Sequence, residues 1–397
     1  MKVSTLVVAS TFLLSGFALE ALAAEKQYGP GITDAEIKIG QTVPYSGPAS
    51  AFSSYGRVMA GYFQMLNEKA GINGRKVNLI SLDNAFSPPK ALEQTRKLVE
   101  GDGVLAEVGT VGTVPNVATQ KYLNQNKIPQ VFISAGGRRF NDPKNFPWTV
   151  PSYPGFEMEG ATFGNFIVKK MPNAKIAVLY QNDDYGKDYL AGLKRALGTD
   201  SSAKIIAEAS YELSDPTVDS EVIRLKASGA DTLIYFTTPK FAAQAIKKAN
   251  ELNWKPTQFL ASPVNSVSVL SAAGLENVQG AFTTQFTKQA GDRTWAEDPE
   301  VKAYVAFMKQ WAPNDSPQDF IALSGYVNAE IIAQALQRCG DNLTRENLLN
   351  QGTSFNKNRV DMLLPGIELT NSKEDYAPYW SLRMAVFENR SWKLLDQ

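Results

Sequence analysis

KIAVLY (175–180), KIIAEAS (204–210), DTLIYF (231–236) and TQFLAS (257–262) are four short apolar runs whose starts lie 29, 27 and 26 residues apart. That spacing is the length of one strand plus one returning helix. The runs are nearly continuous in apolar residues rather than alternating, as in strands covered on both faces. An earlier series has the same form: EIKIGQTV (36–43), KVNLISL (76–82), VLAEVG (104–109) and PQVFIS (129–134), with starts 40, 28 and 25 residues apart. Two series of four βα units predict an α/β chain made of two doubly wound, Rossmann-like lobes.

Helix signals fill the gaps. Pro88-Pro89 opens a segment with Ala91, Leu92, Thr95, Leu98 and Val99 on one face. Asp215-Pro216 precedes one that turns Val218, Val222 and Leu225 inward and closes at Ser228-Gly229. Pro239 opens another, and Thr344 is a good N-cap ahead of Leu348 and Leu349. The segment 144–156 (KNFPWTVPSYPGF) has three prolines and no periodicity, and reads as a crossing between lobes. Beyond Gly280 the alternation gives way to helical patterns around 298–311 and 319–338. A polar stretch, 370–377, and two strand-like runs, WSLRMAVFE and SWKLL, end the chain.

The first residues say where the chain works. Lys2, an apolar run over 3–19 and Ala21-Leu22-Ala23 have the form of a cleaved secretory signal peptide, 1–23, with the cut after Ala23. A membrane anchor fits less well. Ser4, Thr5, Ser10, Thr11 and Ser15 interrupt the run, and about 20 clean apolar residues are needed to cross a bilayer. No Cys near the cut is placed to carry a lipid. Removing 23 residues from 397 leaves 374, beyond the roughly 250–300 that one core supports, so two lobes are the default.

Composition excludes much. Lys+Arg and Asp+Glu are 40 each, so no charge footprint for nucleic acid or an anionic membrane is expected. The chain has no His, which removes the usual general base, the usual triad member and the commonest metal ligand. Its one Cys, Cys339, cannot form an intrachain disulfide. It follows Ile331, Ile332, Ala335 and Leu336 on an apolar helical pattern and reads as a small buried hydrophobe. G-x-G-x-x-G, the phosphate-binding G-x-x-x-x-G-K-[ST] and G-x-S-x-G are all absent, so neither a cofactor nor an enzymatic activity is expected.

In open α/β sheets ligands bind beyond the carboxyl ends of the strands. Four strand-to-helix turns there combine Gly with a hydroxyl or a charge: Tyr45-Ser46-Gly47-Pro48, Gly109-Thr110-Val111-Gly112-Thr113, Ser134-Ala135-Gly136-Gly137-Arg138-Arg139 and Asn182-Asp183-Asp184-Tyr185-Gly186. Each alone is ordinary turn chemistry. Together, on two lobes, they outline a cleft.

Several stretches resemble the periplasmic binding proteins of branched-chain amino acid ABC transporters. They are 36–84 (EIKIGQTVPYSGPASAFSSYGRVMAGYFQMLNEKAGINGRKVNLISLDN), IPQVFISAGG, KIAVLYQNDDYGKDYLAGLK and EVIRLKASGADTLIYF. The resemblance runs from about Glu36 to Trp392. It implies the type I periplasmic binding protein fold, two lobes joined by three crossover segments and closing on a ligand. On that plan lobe one is 24–152 plus about 286–368, and lobe two is 153–285 plus about 378–397. The crossings fall near 150–154, 283–287 and 369–377.

The resemblance also implies ligand contacts. Gly112, Thr113, Ser134, Gly136 and Arg138 would hold a carboxylate, with Tyr55, Tyr185 and a lobe-two contact near Phe236 to Thr238 around it; Tyr153 is a ninth candidate by its place in the chain, and Phe52 and Phe156 are further aromatic candidates. Two departures matter. The branched-chain binders place a Glu for the ligand's ammonium where this chain has Ser262, Pro263, Val264 and Asn265, although Asp183 or Asp184 is a possible substitute. They have small residues where this chain has Arg138-Arg139.

The implied function is that of a monomeric, exported, periplasmic solute-binding component of an ABC importer. It captures a small carboxylate-bearing solute, either an apolar or branched-chain amino acid or an aromatic or aliphatic acid. It passes that solute to an inner-membrane permease with its cytoplasmic ATPase. The alternative is a ligand sensor of the same fold.

Overall fold

The structure, a computed structural model, describes residues 26–395; the expected leader, 1–23, lies outside them. Lobe one is a five-stranded parallel sheet of β1 (Glu36–Val43), β2 (Lys76–Asp83), β3 (Glu107–Val108), β4 (Gln130–Ile133) and β5 (Thr149–Pro151). Their spatial order is β2-β1-β3-β4-β5. Lobe two contains β6 (Ile176–Gln181), β7 (Ile205–Tyr211), β8 (Thr232–Phe236), β9 (Thr257–Leu260), β10 (Phe282–Gln285), β11 (Arg383–Glu388) and β12 (Ser391–Leu394). Its order is β12-β11-β10-β9-β8-β6-β7. The parallel parts share one plan, in which the second strand lies outside the first and the third on its other side. That reversal opens a crevice at the carboxyl ends.

All eight expected strands form, and β4 and β8 are buried along their whole length. The run 104–109 is strand only at Glu107–Val108. The guanidinium of Arg345 takes the carbonyls of Leu105 (2.9 Å) and Val104 (3.0 Å), so those groups are not left for a neighbouring strand. The proline-rich segment read wholly as a crossing contains β5, whose Pro151 sits at the sheet edge, where a missing N–H is tolerated.

The late helices follow their caps. Asp298 accepts from the N–H groups of Glu300 and Val301 and starts Pro299–Trp311. Asp319 caps Phe320–Cys339, and Thr344 caps Arg345–Gly352. The first two pack on the helix Ser53–Glu68 of lobe one, where the Tyr62 ring lies 5.2 Å from Tyr326 and 6.1 Å from Phe307. The chain then passes back to lobe two, and β11 pairs antiparallel with β10 and with β12. The β11–β12 turn is Asn389-Arg390, both at positive φ, the geometry that matches strand twist in a two-residue hairpin. One ring ties the passages between lobes together. Phe286 lies 5.7 Å from Tyr153, 5.3 Å from Tyr379 and 5.7 Å from Phe320. Aromatic pairs of this kind contribute about 0.5–1.5 kcal/mol each beyond their burial.

Candidate ligand site

Between the lobes lies a cleft whose atom-free space, about 600 Å³, includes space open to solvent. Strand-end loops of lobe one supply Phe86 after β2, Val111, Gly112 and Thr113 after β3, and Ser134 after β4. Phe52 and Tyr55 come from the start of the first helix. Lobe two supplies Gln181 at the end of β6, Tyr185 after it, Thr238 after β8 and Pro263 after β9, with Tyr153 and Phe156 beside the first crossing. Phe320, Ile321 and Ser324 complete the wall from the late helix Phe320–Cys339.

The lobe-one side is rich in hydrogen-bond donors. Gly112 has φ +95°, a conformation suited to glycine, and a Cβ there would stand 2.2 Å from the Phe86 ring. The chain therefore turns tightly into the helix Thr113–Gln125, whose N-terminus has no side-chain cap. The Thr113 hydroxyl is buried and has no hydrogen-bond partner among the described residues. An uncapped helix start beside an unpaired hydroxyl suits a carboxylate. The Tyr55 hydroxyl accepts from the Asn328 side-chain amide, and burial pushes its pKa up, so it stays protonated.

The lobe-two side is organised by a buried carboxylate just behind the wall. Glu159 Oε1 accepts from the Ser262 N–H (2.6 Å) and the Thr284 hydroxyl (2.7 Å). Its Oε2 accepts from the hydroxyls of Ser262 and Tyr189, both at 2.7 Å. Burial pushes its pKa up and these hydrogen bonds oppose the shift. Ser262 in turn meets the Tyr153 hydroxyl at 2.7 Å.

Of the nine expected ligand residues, Tyr55, Gly112, Thr113, Ser134, Tyr153 and Tyr185 line the cavity, and Gly136, Arg138 and Phe236 do not. Gly136 is pressed against the first crossing, where a Cβ would stand 1.9 Å from the Pro154 carbonyl oxygen. The Arg138 side chain is 78% exposed and points to Glu157 at 3.6 Å, while its backbone N–H is held by Asp188 at 2.7 Å. Phe236 is fully buried in lobe two, stacked on Tyr189 at 4.9 Å. Tyr45-Ser46-Gly47-Pro48 does not reach the cavity either. Tyr45 bonds Ser81 and Ser46 bonds Asp83.

The substitutes considered for an ammonium partner are both engaged elsewhere. Asp183 caps the helix Asp184–Leu197 and accepts from the Gln181 amide at 2.6 Å. Asp184 pairs with Arg139 at 2.9 Å. No Asp, Glu, Lys or Arg is among the residues lining this cavity, and Arg139, Asp183 and Asp184 line an adjoining recess that shares Thr113 with it.

Sequence reasoning missed Phe86, Gln181, Phe320, Ile321 and Ser324. Phe86 had no signal in a single sequence. It holds φ +56°, stabilised by an Asn84 side chain that accepts its N–H at 2.8 Å. Gln181 is the last residue of its strand. The other three lie in a helix more than 180 residues from Tyr55, Gly112 and Thr113.

The family model described as periplasmic binding protein matches residues 36–375. The Leu/Ile/Val-binding protein homolog 7 of Brucella suis biovar 1 is 24% identical over 323 residues, 78% of this chain and 79% of its own. The branched-chain amino acid ABC transporter structure from Thermus thermophilus with bound valine superposes with a TM-score of 0.79 at 14% identity, over 92% of this chain and 97% of that one. The ABC transporter solute-binding protein of Rhodopseudomonas palustris BisB5, in complex with 3,4-dihydroxy benzoic acid, gives 0.77 at 19% identity, over 91% and 95%. Among the described residues, no helix is long and apolar enough to cross a membrane.

Proposed function

The chain belongs to the periplasmic binding protein family, and from that premise we propose that it is the solute-capturing component of an ABC importer. It takes a small carboxylate with an apolar or aromatic body into the cleft. It then delivers that solute, chemically unchanged, to an inner-membrane permease driven by a cytoplasmic ATPase. Residues 1–23 direct export and are removed.

One observation carries the ligand class. The cavity joins an uncapped helix N-terminus and the unpaired Thr113 hydroxyl to a wall of aromatic rings, and its lining has no carboxylate. A desolvated ammonium without a counter-charge is costly. A carboxylate meeting backbone N–H groups and a hydroxyl gains charge-assisted hydrogen bonds of roughly 1.5–3 kcal/mol each. The fold alone does not choose, since related structures hold valine in one case and a benzoic acid in another.

The test is calorimetry of the protein with benzoate, hydroxybenzoates and leucine at equal concentration, after a thermal-shift screen. A ligand at about 100 times its Kd adds about 2.7 kcal/mol of stability. Binding of an aromatic acid in preference to leucine supports the reading; tight leucine binding with no binding of the acids overturns it. Export is checked by mass spectrometry of periplasmic material, where the chain should begin at Ala24.

A further inference from the structure

Tyr153 and Tyr185 both line the cavity, and each hydroxyl has one hydrogen. The Tyr185 hydroxyl donates to the Thr237 carbonyl at 2.8 Å, a group that can only accept. Tyr153 is fixed at one remove. The four contacts on Glu159 come from one N–H and three hydroxyls, two on each oxygen, the pattern that an ionised carboxylate satisfies. With Glu159 in that ionised form, the hydrogen of Ser262 points to it. Its oxygen must then accept in the 2.7 Å contact with Tyr153, so Tyr153 donates its hydrogen there. Any ligand atom that bonds either tyrosine oxygen has to bring the hydrogen itself.

Lobe one has the opposite character. Both hydrogens of the Asn328 amide are engaged, one by Tyr55 and one by the Phe132 carbonyl, so the Tyr55 hydroxyl accepts there and has its own hydrogen to donate, with the Ser134 side chain beside it. Thr113 has an unpaired hydroxyl at the uncapped helix start.

Building on the carboxylate reading above, we propose that Tyr153 and Tyr185 are specificity-determining residues that select a hydroxylated aromatic acid, its carboxylate toward lobe one and its hydroxyl donating to lobe two. A neutral hydroxyl matches two neutral acceptor oxygens. An ammonium would need the counter-charge that the lining lacks. The stacked rings of Phe52 and Phe86, with Phe156 and Phe320, supply the flat apolar wall for an aromatic body.

The experiment is calorimetry of the whole mature protein with benzoate, 3- and 4-hydroxybenzoate, and the matching methoxybenzoates, which accept but do not donate. At least one hydroxybenzoate should bind about tenfold more tightly than benzoate and than its own methyl ether. In Tyr153→Phe or Tyr185→Phe the ratio of hydroxybenzoate to benzoate affinity should shrink to less than threefold, whatever the change in either absolute affinity. This split would not follow from a merely structural role. The wild-type ligand series decides the matter even if a variant fails to fold. Equal binding of benzoate, hydroxy and methoxy acids overturns the selection and leaves the carboxylate reading standing. Binding of leucine with none of the acids overturns both.

Discussion

Arg139 Nη1 lies 2.9 Å from Asp184 Oδ2, which ties the turn after β4 of lobe one to the first residue of the helix Asp184–Leu197 of lobe two. Gln120 steadies the guanidinium from its own lobe, accepting from Nε at 3.2 Å. A second tie joins Asp319, the cap of the late lobe-one helix, to the Ser266 and Ser268 hydroxyls of lobe two, both at 2.6 Å. The cavity thus lies between lobes already held together by polar contacts.

The Arg139–Asp184 pair is half-exposed, so its contribution to closure is modest, about 0–1 kcal/mol, and screened by salt. Arg139→Ala is expected to weaken ligand binding roughly two- to fivefold at low ionic strength. The effect should fade in high salt, and Asp184→Asn should add nothing to it. Calorimetry on the single and double variants at two salt concentrations checks this. Additive losses would mean that the two residues act separately.

Thr113→Val removes the unpaired hydroxyl and keeps the shape of the side chain. It should weaken binding of every carboxylate ligand about tenfold, with an unchanged melting temperature, because a hydrogen bond to a charged group contributes roughly 1.5–3 kcal/mol. Thr113→Ser should bind nearly as the parent does. Unaltered affinity in the valine variant would place the carboxylate elsewhere.

Glu330 gives stability a pH dependence. Burial, with the charge of Asp361 nearby, pushes its carboxyl up to about 7, well above its ordinary 4.5. The backbone N–H of Asp361 and the Gln334 amide bond it, and Tyr62, Tyr326 and Tyr379 are close. A carboxyl with a raised folded-state pKa favours folding while protonated. Its contribution is complete below about pH 4.5 and is lost as the pH rises through 7. Denaturant unfolding should show a decline of roughly 1–3 kcal/mol between pH 5 and 8. Glu330→Gln should flatten that decline, and an identical profile in both proteins would contradict the assignment.

Gly136→Ala tests a packing role against a ligand role. The added Cβ meets the Pro154 carbonyl at 1.9 Å, so the first crossing has to move. A loss of roughly 1–3 kcal/mol in unfolding free energy is expected. A variant as stable as the parent would show that the crossing yields at no cost.

The sequence by itself determined the architecture. The lengths and spacings of its apolar runs set strands that alternate with helices, twice over, because backbone periodicity and burial on two faces are local properties of the chain. Caps such as Thr344 were legible for the same reason. The return of 299–339 to lobe one was not legible from periodicity and came only through the resemblance. The packing of Tyr62 on Phe307 and Tyr326 supplies its physical cause. At the site, the sequence pointed to the right loops but could not say which side chains turn inward. Arg138 and Arg139 are adjacent and similar, yet Glu157 and Asp188 hold one on the outside while Asp184 takes the other across the cleft. Phe236 and Tyr185 are both aromatic residues at strand ends or the turns after them, yet one is stacked in the core and the other lines the cavity. Only the tertiary structure decided these directions, because a loop side chain points where distant partners leave room and charge for it.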